Sequence, residues 1–168
     1  MTRAPTIETP RARLRPHVLE DMEAFWTFYQ SPRAAYVDAP ESRSDLWYKF
    51  ASEIGSWDLC GYGGWAIETR DGRFAGQIAI IQPPHFPELE LGWFLFDGFE
   101  GQGLAFETAA AARDYAFETL MVSTLVSYVD QRNTRSRALA ERLGARLDPD
   151  AATFDDGDVV YRHSRRVT

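Results

Sequence analysis

A long helix that follows a glycine-rich turn is the feature that most constrains how this chain can fold. Residues Glu88–Phe96 alternate as a strand, a cluster of glycines follows, and helical spacing then runs from about Gly103 to Leu120. The next predicted strand, Val122–Val129, is rich in β-branched residues. A helix between two strands of one sheet acts as a crossover that makes those strands parallel. The order of elements therefore predicts a mixed α/β domain.

The rest of the chain carries shorter elements with ordinary turn signals between them. Asp71-Gly72, the strongest local turn signal, predicts a hairpin. Ser44 is the predicted cap of the second helix. The other predicted elements are a strand at Ile7–Arg15, helices at Leu19–Gln30 and Ser44–Trp57, strands at Gly63–Thr69 and Phe74–Ile81, a helix at Asn133–Leu143, and a strand pair, Ala145–Leu147 with Val159–His163. No linker or repeat interrupts them, so we expect one domain over residues 1–168.

Composition and charge exclude several classes of protein. The 168 residues carry a net charge of −7, which disfavours general binding to nucleic acid or to anionic membranes. Cys60 is the single cysteine, so a disulfide-stapled scaffold is excluded. The chain has neither an apolar leader nor an apolar run long enough to span a membrane, and we expect a cytoplasmic protein.

The glycine turn is a candidate anion site. A helix N-terminus presents unpaired N–H groups, and Gly101 and Gly103 would let a phosphate approach the backbone closely. The P-loop motif is excluded because Lys49 is the only lysine, and the Rossmann glycine pattern is also missing. Two interpretations stay open at this point: a tight strand-to-helix connection without a ligand, and a pyrophosphate cradle of another kind.

The helix behind the turn favours the cradle. Its small residues fall on one face, which would let the helix lie close to the sheet and fix its N-terminus at the strand ends. High alanine propensity for helix is the simpler explanation of the same composition. The residues of this face are Ala105, Ala109, Ala112, Ala116 and Leu120.

Several motifs together resemble those of GCN5-related N-acetyltransferases, the GNAT superfamily. They are Glu90-Leu-Gly-Trp-Phe-Leu, the run from Glu100 to Ala109, Asn133-Thr-Arg-Ser136 and Arg142-Leu-Gly144. Within the superfamily, the chain is similar to the RimJ/RimL-type branch that acetylates ribosomal-protein N-termini. The resemblance covers nearly the whole chain. It implies an α/β single-domain GNAT fold, with a mixed, mostly antiparallel sheet of about six to seven strands and about four flanking helices.

The resemblance implies acetyl-CoA as the acetyl donor and assigns residues to it. The pantetheine arm would pair with the backbone of the strand residues Trp93, Phe94, Leu95 and Phe96. The pyrophosphate would lie on the N–H groups of Gly101, Gln102, Gly103, Leu104 and Ala105. Asn133 would hydrogen-bond the arm, with a helix N-cap as its alternative role. Glu100 departs from the family motif, and a carboxylate beside a pyrophosphate is unfavourable unless it points away.

The implied reaction is direct transfer of an acetyl group to a primary amine in a ternary complex. Glu90 is the candidate general base, because Gly92 on the same strand face leaves room for an acyl group. Its alternative role is a structural partner for an arginine. The tyrosine that many relatives use to protonate the thiolate is replaced by Ala140. Ser136 is the candidate acid, with Tyr115 or water as substitutes.

The acceptor that the resemblance implies is an amine, either a protein N-terminus or a small molecule. Tyr36 and Asp38, in a loop that borders the acceptor pocket in the family, are candidates to recognise it. Cys60 is interpreted as a bystander, and the three histidines lack metal-ligand spacing, so no metal site is expected. A non-catalytic acetyl-CoA sensor is the alternative function, and a homodimer is compatible with the family.

Overall fold

A computed structural model describes residues 4–165 of the chain. They form one eight-stranded sheet in the order β1-β2-β3-β4-β5-β6-β8-β7. The strands are β1 (Ile7–Glu8), β2 (Ala12–Arg15), β3 (Gly64–Thr69), β4 (Phe74–Ile81), β5 (Glu90–Leu95), β6 (Val126–Asp130), β7 (Arg146–Leu147) and β8 (Asp158–Arg162). The helices are α1 (Asp21–Tyr29), a 3-10 turn (Pro32–Ala34), α2 (Arg43–Cys60), α3 (Leu104–Glu118) and α4 (Thr134–Arg142).

Every strand pair in the sheet is antiparallel except β5 and β6. Helix α3 connects these two, as the predicted crossover requires. The α/β class, the mixed sheet and the four helices that the resemblance implied are confirmed. The order of strands places the parallel pair inside the sheet, so the ends of β5 and β6 are surrounded by structure rather than at an edge.

The two faces of the sheet are covered by different helices. Alternate residues of β5, such as Leu91 and Leu95, pack with α3 in the main core, whereas Phe94 packs with α1 and α2. Ala109, Ala112 and Ala116 are fully buried, which confirms the predicted small-residue face of α3. On the other face, Phe94 stacks on Phe28 with ring centroids 4.4 Å apart.

The structure corrects three predicted boundaries. The first strand, predicted as Ile7–Arg15, is two strands, because Thr9 folds back and bonds the carbonyl of Ala12 with both its N–H (2.9 Å) and its hydroxyl (2.8 Å). The sheet therefore has eight strands rather than six or seven. Ser42, not Ser44, caps α2 by accepting from the N–H of Asp45. The strand predicted to start at Val122 starts at Val126.

Gly76 is where β4 and β5 approach most tightly. Its φ of +150° is unfavourable for a residue with a side chain, and a Cβ there would lie 2.2 Å from the carbonyl oxygen of Phe94. The register of β3 shifts opposite this position, between Ile67 and Glu68. A glycine is needed here because the obstacle is backbone, which cannot swing away as a flexible side chain would.

We expect Gly76→Ala to lower the free energy of unfolding by about 2–4 kcal/mol, the sum of backbone strain and overpacking. Gly55→Ala is the matched control, since Gly55 lies in α2 with open space where its Cβ would be. That change should raise stability by about 0.5–1 kcal/mol through helix propensity. Urea denaturation of both variants measures the effect. Equal stability of the two would contradict the close approach.

Candidate active site

The separation of β5 from β6 creates the site. The two strands share a single bridge, Glu90 opposite Val126, where the N–H of Val126 donates to the carbonyl of Leu89 at 3.0 Å. One step further along, the hydroxyl of Ser127 donates to the carbonyl of Leu91 at 2.6 Å. A side chain thus takes the place of the next ladder hydrogen bond, and beyond it the strands diverge.

Alternation along β5 determines which backbone groups face the gap. The N–H of Phe96 donates to Ala75 of β4 at 2.8 Å, so residues in phase with Phe96, including Phe94, direct their backbone groups to β4. Trp93 and Leu95 direct theirs to the β6 side. Of the four residues expected to pair with pantetheine, 93–96, only Trp93 and Leu95 therefore have backbone available, and the Leu95 carbonyl already accepts from Arg33 at 3.3 Å.

His163 holds Ser127 in place from behind. Its Nε2 lies 2.9 Å from the Ser127 hydroxyl oxygen, and both residues are buried. Because that hydroxyl donates to Leu91, Nε2 must carry the hydrogen. Burial lowers the pKa of His163 to about 4, so the ring is neutral at neutral pH. The sequence showed only three scattered histidines, and the link from His163 to the gap arises from the pairing of β6 with β8.

A cleft of about 600 Å³ lies at the gap and is lined by residues from both faces of the sheet. We call it the central cleft. It brings together five of the predicted site residues, Glu90, Trp93, Phe94, Asn133 and Ser136. Tyr36, Asp38 and His85 also line it. Cys60 is exposed at the end of α2 and is not among its lining residues.

Ser136 and Asn133 lie on the α3/α4 face of the gap. The indole Nε1 of Trp93 donates to the Ser136 hydroxyl at 3.3 Å. The Asn133 side-chain oxygen accepts from the N–H of Ser136 at 3.1 Å, so Asn133 caps α4. Its amide nitrogen remains available on the wall of the cleft, because the cap uses only the oxygen.

Glu90 lies on the opposite face, beside α2. Its carboxylate is 3.6 Å from where a Cβ of Gly92 would be, which confirms that the two share a face. Burial raises the pKa of Glu90 to about 8, and the charges of Asp158 and Glu53 act in the same direction. The backbone N–H of Tyr128 and the charge of Lys49 lower it. Glu90 has no ion-pair partner within residues 4–165, so an arginine-partner role is not observed.

Further polar residues line the cleft beyond the predicted site residues, among them Glu53, Gln77 and Asp158. Glu53 of α2 is 8% exposed, and Gln77 of β4 is 5% exposed. Asp158 begins β8, and burial with the neighbouring charges of Asp155 and Asp130 raises its pKa to about 6. Helical and strand periodicity mark Glu53 and Gln77 as inward positions, but only tertiary packing shows that they face a cavity.

The glycine turn forms the expected concave helix N-terminus. Gly101 and Gly103 have φ of +73° and +77°, and Gly103 precedes α3 without any side-chain cap, so the N–H groups of the first turn have no intrahelical partner. Arg11 lies against Gly103 and donates to the carbonyl of Gln102 and, at 2.7 Å, to Glu107. Glu107 also accepts from the N–H of Arg11 at 2.7 Å.

Charge around this turn is favourable for an anion. Arg33 pairs with Glu100, which neutralises the carboxylate that departs from the family motif. Arg142 of α4 lies 4.9 Å above the ring of Phe106 in the first turn of α3. Together with the free N–H groups and the open β5–β6 gap, these residues fit a cofactor that carries a pyrophosphate on an extended arm.

Among residues 4–165, no group of three histidine, cysteine, aspartate or glutamate side chains is arranged to hold a metal ion. Over the same residues, no helix is long and apolar enough to cross a membrane.

Comparison with known proteins agrees with this geometry. Residues 11–146 match the model of the acetyltransferase (GNAT) domain family. The crystal structure of an acetyltransferase from Agrobacterium tumefaciens str. C58 is 44% identical and superposes with a TM-score of 0.92, over 96% of this chain and 95% of that one. YkkB, an uncharacterized protein of Bacillus subtilis (strain 168), is 29% identical over 60% of this chain, and the match spans 62% of its length.

The comparisons do not assign the chain to the RimJ/RimL-type branch that the sequence resembles. RimL, the ribosomal L7/L12 alpha-N-protein acetyltransferase in complex with coenzyme A, has a TM-score of 0.76 at 19% identity, over 96% of this chain and 98% of RimL. At that identity the likeness shows a shared fold alone, and RimL is one of several such neighbours. Since the family match covers most of the residues that build the sheet, the gap and the glycine turn, this chain belongs to the GNAT acetyltransferase family.

Proposed function

We propose that this protein is an acetyl-CoA-dependent N-acetyltransferase that acts on a primary amine, either a protein N-terminus or a small molecule. The observation that carries the proposal is the central cleft, which joins the half-buried Glu90 carboxylate on one face of the sheet to hydroxyl and amide groups on the other. Family membership supports acetyl-CoA as the donor. A donor on the α3/α4 face and an acceptor on the α1/α2 face would meet in the gap between β5 and β6.

The donor supplies the acetyl group as a thioester, and the residues of this chain supply the rest. The Glu90 carboxylate takes the proton that the amine loses as its nitrogen forms the new C–N bond. The backbone N–H of Trp93 faces the gap and can polarise the carbonyl oxygen. As the C–S bond breaks, the Ser136 hydroxyl donates a proton to the sulfur, and water restores it.

The placement of these groups supports their roles. Base and acid lie on opposite faces, so the proton leaves on the acceptor side and returns on the thiolate side. The raised pKa of Glu90 suits a base that works near neutral pH, since a carboxylate of ordinary pKa would be too weak. The other cofactor contacts proposed are the N–H groups of the glycine turn, with Gly101, Gln102, Gly103, Leu104 and Ala105, and the amide of Asn133.

The function is tested by following thiol release from acetyl-CoA while a panel of amines and N-terminal peptides is added. We expect release above the hydrolytic background with at least one acceptor, and a mass increase of one acetyl group on that acceptor. Calorimetry of coenzyme A binding is run beside it. Tight binding without release from any acceptor would favour the non-catalytic sensor, and absence of binding would refute both.

Glu90→Gln should lower kcat about 100-fold while leaving the affinity for coenzyme A unchanged, because the base contacts the acceptor side only. Glu90 acts when deprotonated, so the ratio of wild-type to variant kcat/KM should rise with pH up to about 8 and level off above it. Taking the ratio cancels the ionisation of the amine itself. A ratio that stays near one across this range would remove Glu90 from the mechanism.

Gly103→Ala should weaken coenzyme A binding about 10-fold through strain and displacement of the turn. A Cβ there would lie 2.7 Å from the Arg11 guanidinium and would push it off the Gln102 carbonyl that it holds. Gly98→Ala is the control, because Gly98 has a similar φ of +83° but open space around its Cβ. Calorimetric titration of each variant with coenzyme A measures the two affinities. Equal affinities would contradict a role of the glycine turn in binding the pyrophosphate.

A further inference from the structure

The acceptor side of the central cleft carries an excess of negative charge. Four of its carboxylates have no ion-pair partner anywhere in the described part of the chain: Glu53, Glu90, Asp155 and Asp158. Two cations, Lys49 and Arg132, line the same walls, and neither forms an ion pair with any of these four carboxylates, although the charge of Lys49 acts on Glu53 and Glu90. Lys49 donates to the carbonyl of Asp38 at 2.7 Å, and Arg132 pairs with Asp130 at 2.6 Å. Asp155 is exposed, but Glu53 is buried and Glu90 and Asp158 are half-buried. Unpaired carboxylates with little access to water are costly, and a cationic ligand would relieve that cost.

The four carboxylates form two separate groups. Glu53 and Glu90 make up the inner group, and Asp155 and Asp158 make up the outer group. Glu90 pairs with Val126 of β6, whereas Asp158 pairs with Asp130, which lies four residues further along β6. Four residues of strand span about 13 Å. The side chains converge on one cleft, since the charge of Asp158 acts on Glu90. One ammonium group cannot contact both positions at hydrogen-bond distance, but two joined by a flexible chain can.

A buried acceptor atom marks the inner group independently of the charges. Gln77 lies on β4 two residues before Ala79, which pairs with Gly92. Its side chain lowers the pKa of the Glu53 carboxyl, and its Oε1 is buried with no partner in the described part of the chain. A buried oxygen without a donor is destabilising and calls for an explanation. With Glu53, Glu90 and this oxygen, the inner end of the cleft presents acceptors and would bind a group with several N–H donors.

Aromatic side chains line the cleft beside the outer group. Phe154, adjacent to Asp155, stacks on Phe86 with centroids 4.2 Å apart, and Tyr128 lies 5.0 Å from Phe154. Such a wall suits methylene groups, and ring faces also attract ammonium groups. The cleft thus presents acceptors at one end and, further along, carboxylates against an apolar surface.

We infer that the acceptor is an aliphatic diamine or polyamine, with the amine to be acetylated held over Gly92 by Glu53, Gln77 and Glu90, and a second ammonium group held by Asp155 and Asp158. This inference rests on the proposed acetyltransferase function and narrows its acceptor. The transfer is unchanged: the C–N bond forms at the inner nitrogen, which loses its proton to Glu90, while the outer nitrogen stays charged. A peptide N-terminus has a single charge at this position and would leave the outer pair unmatched.

The test compares acceptors that differ by one charge. Thiol release from acetyl-CoA is measured with 1,4-diaminobutane, with 1-aminobutane, with longer diaminoalkanes, and with a neutral tetrapeptide that has a free N-terminus. We expect kcat/KM for the best diamine to exceed that for the monoamine of equal length about 30-fold, which is typical for a hydrogen-bonded charge. High salt should reduce this advantage.

The double variant Asp155→Asn/Asp158→Asn locates the effect. It should lower kcat/KM for the best diamine about tenfold more than for its matching monoamine. Asp156→Asn is the matched control, because Asp156 is exposed and is not among the residues that line the cleft, so the diamine-to-monoamine ratio should stay as in the wild type. Equal losses on both acceptors in the double variant would overturn the inference.

Two other outcomes would also overturn it while leaving the acetyltransferase function intact. These are equal kcat/KM for diamine and monoamine in the wild-type protein, and a clear preference for the peptide. If no acceptor releases thiol, the proposed function fails instead. Calorimetry of the best-fitting diaminoalkane against its monoamine then still tests the site without chemistry, and a diamine that binds no more tightly than the monoamine refutes it.

Discussion

The one bridge between β5 and β6 is the constraint on which the rest of the site depends. Neighbouring strands in the rest of the sheet pair over longer stretches or lie at an edge, but these two separate after Glu90 and Val126. The crossover helix α3 makes them parallel and leaves no short loop to hold their ends together. Ser127 closes the ladder with a side-chain hydrogen bond to Leu91, supported from behind by His163. Beyond that hydrogen bond, β5 and β6 are not paired with each other, and their residues line the central cleft.

The open gap gives the sheet two chemically distinct sides. Because side chains alternate along a strand, Glu90 and Gly92 face α2 while Trp93 faces Ser136 and α4. A proton acceptor and a proton donor therefore lie on opposite faces, with strand backbone between them. Burial raises the pKa of Glu90, with a smaller contribution from the charges of Asp158 and Glu53, and burial lowers the pKa of His163. Burial thus moves the two pKa values in opposite directions, and in each case it favours the neutral form.

The net charge of −7 is an average over a polarised molecule. Arginines surround the glycine turn, where Arg33 cancels Glu100 and Arg142 lies over the first turn of α3. Carboxylates without partners collect instead on the acceptor side of the cleft. This separation of charge follows from the fold. The pairing of β8 with β6 brings the acidic segment 155–158 close to Asp130, although the two are distant in sequence.

The sequence by itself determined the order of elements, the crossover helix with its alanine face, the glycine turn and the identity of Glu90, Asn133 and Ser136 as candidate site residues. The elements and the turn follow from local periodicity and turn chemistry, which tertiary contacts do not change, whereas the three candidate site residues follow from the resemblance of the motifs to those of the GNAT family. The sequence did not predict that the first strand is split in two, because the hydrogen bonds of Thr9 to Ala12 leave no periodic signal. Only the tertiary structure brought Glu53, Gln77, Asp158 and His163 to the gap. Their positions depend on strand register and on packing between distant segments, and a buried polar residue looks the same in sequence whether it faces a core or a cavity.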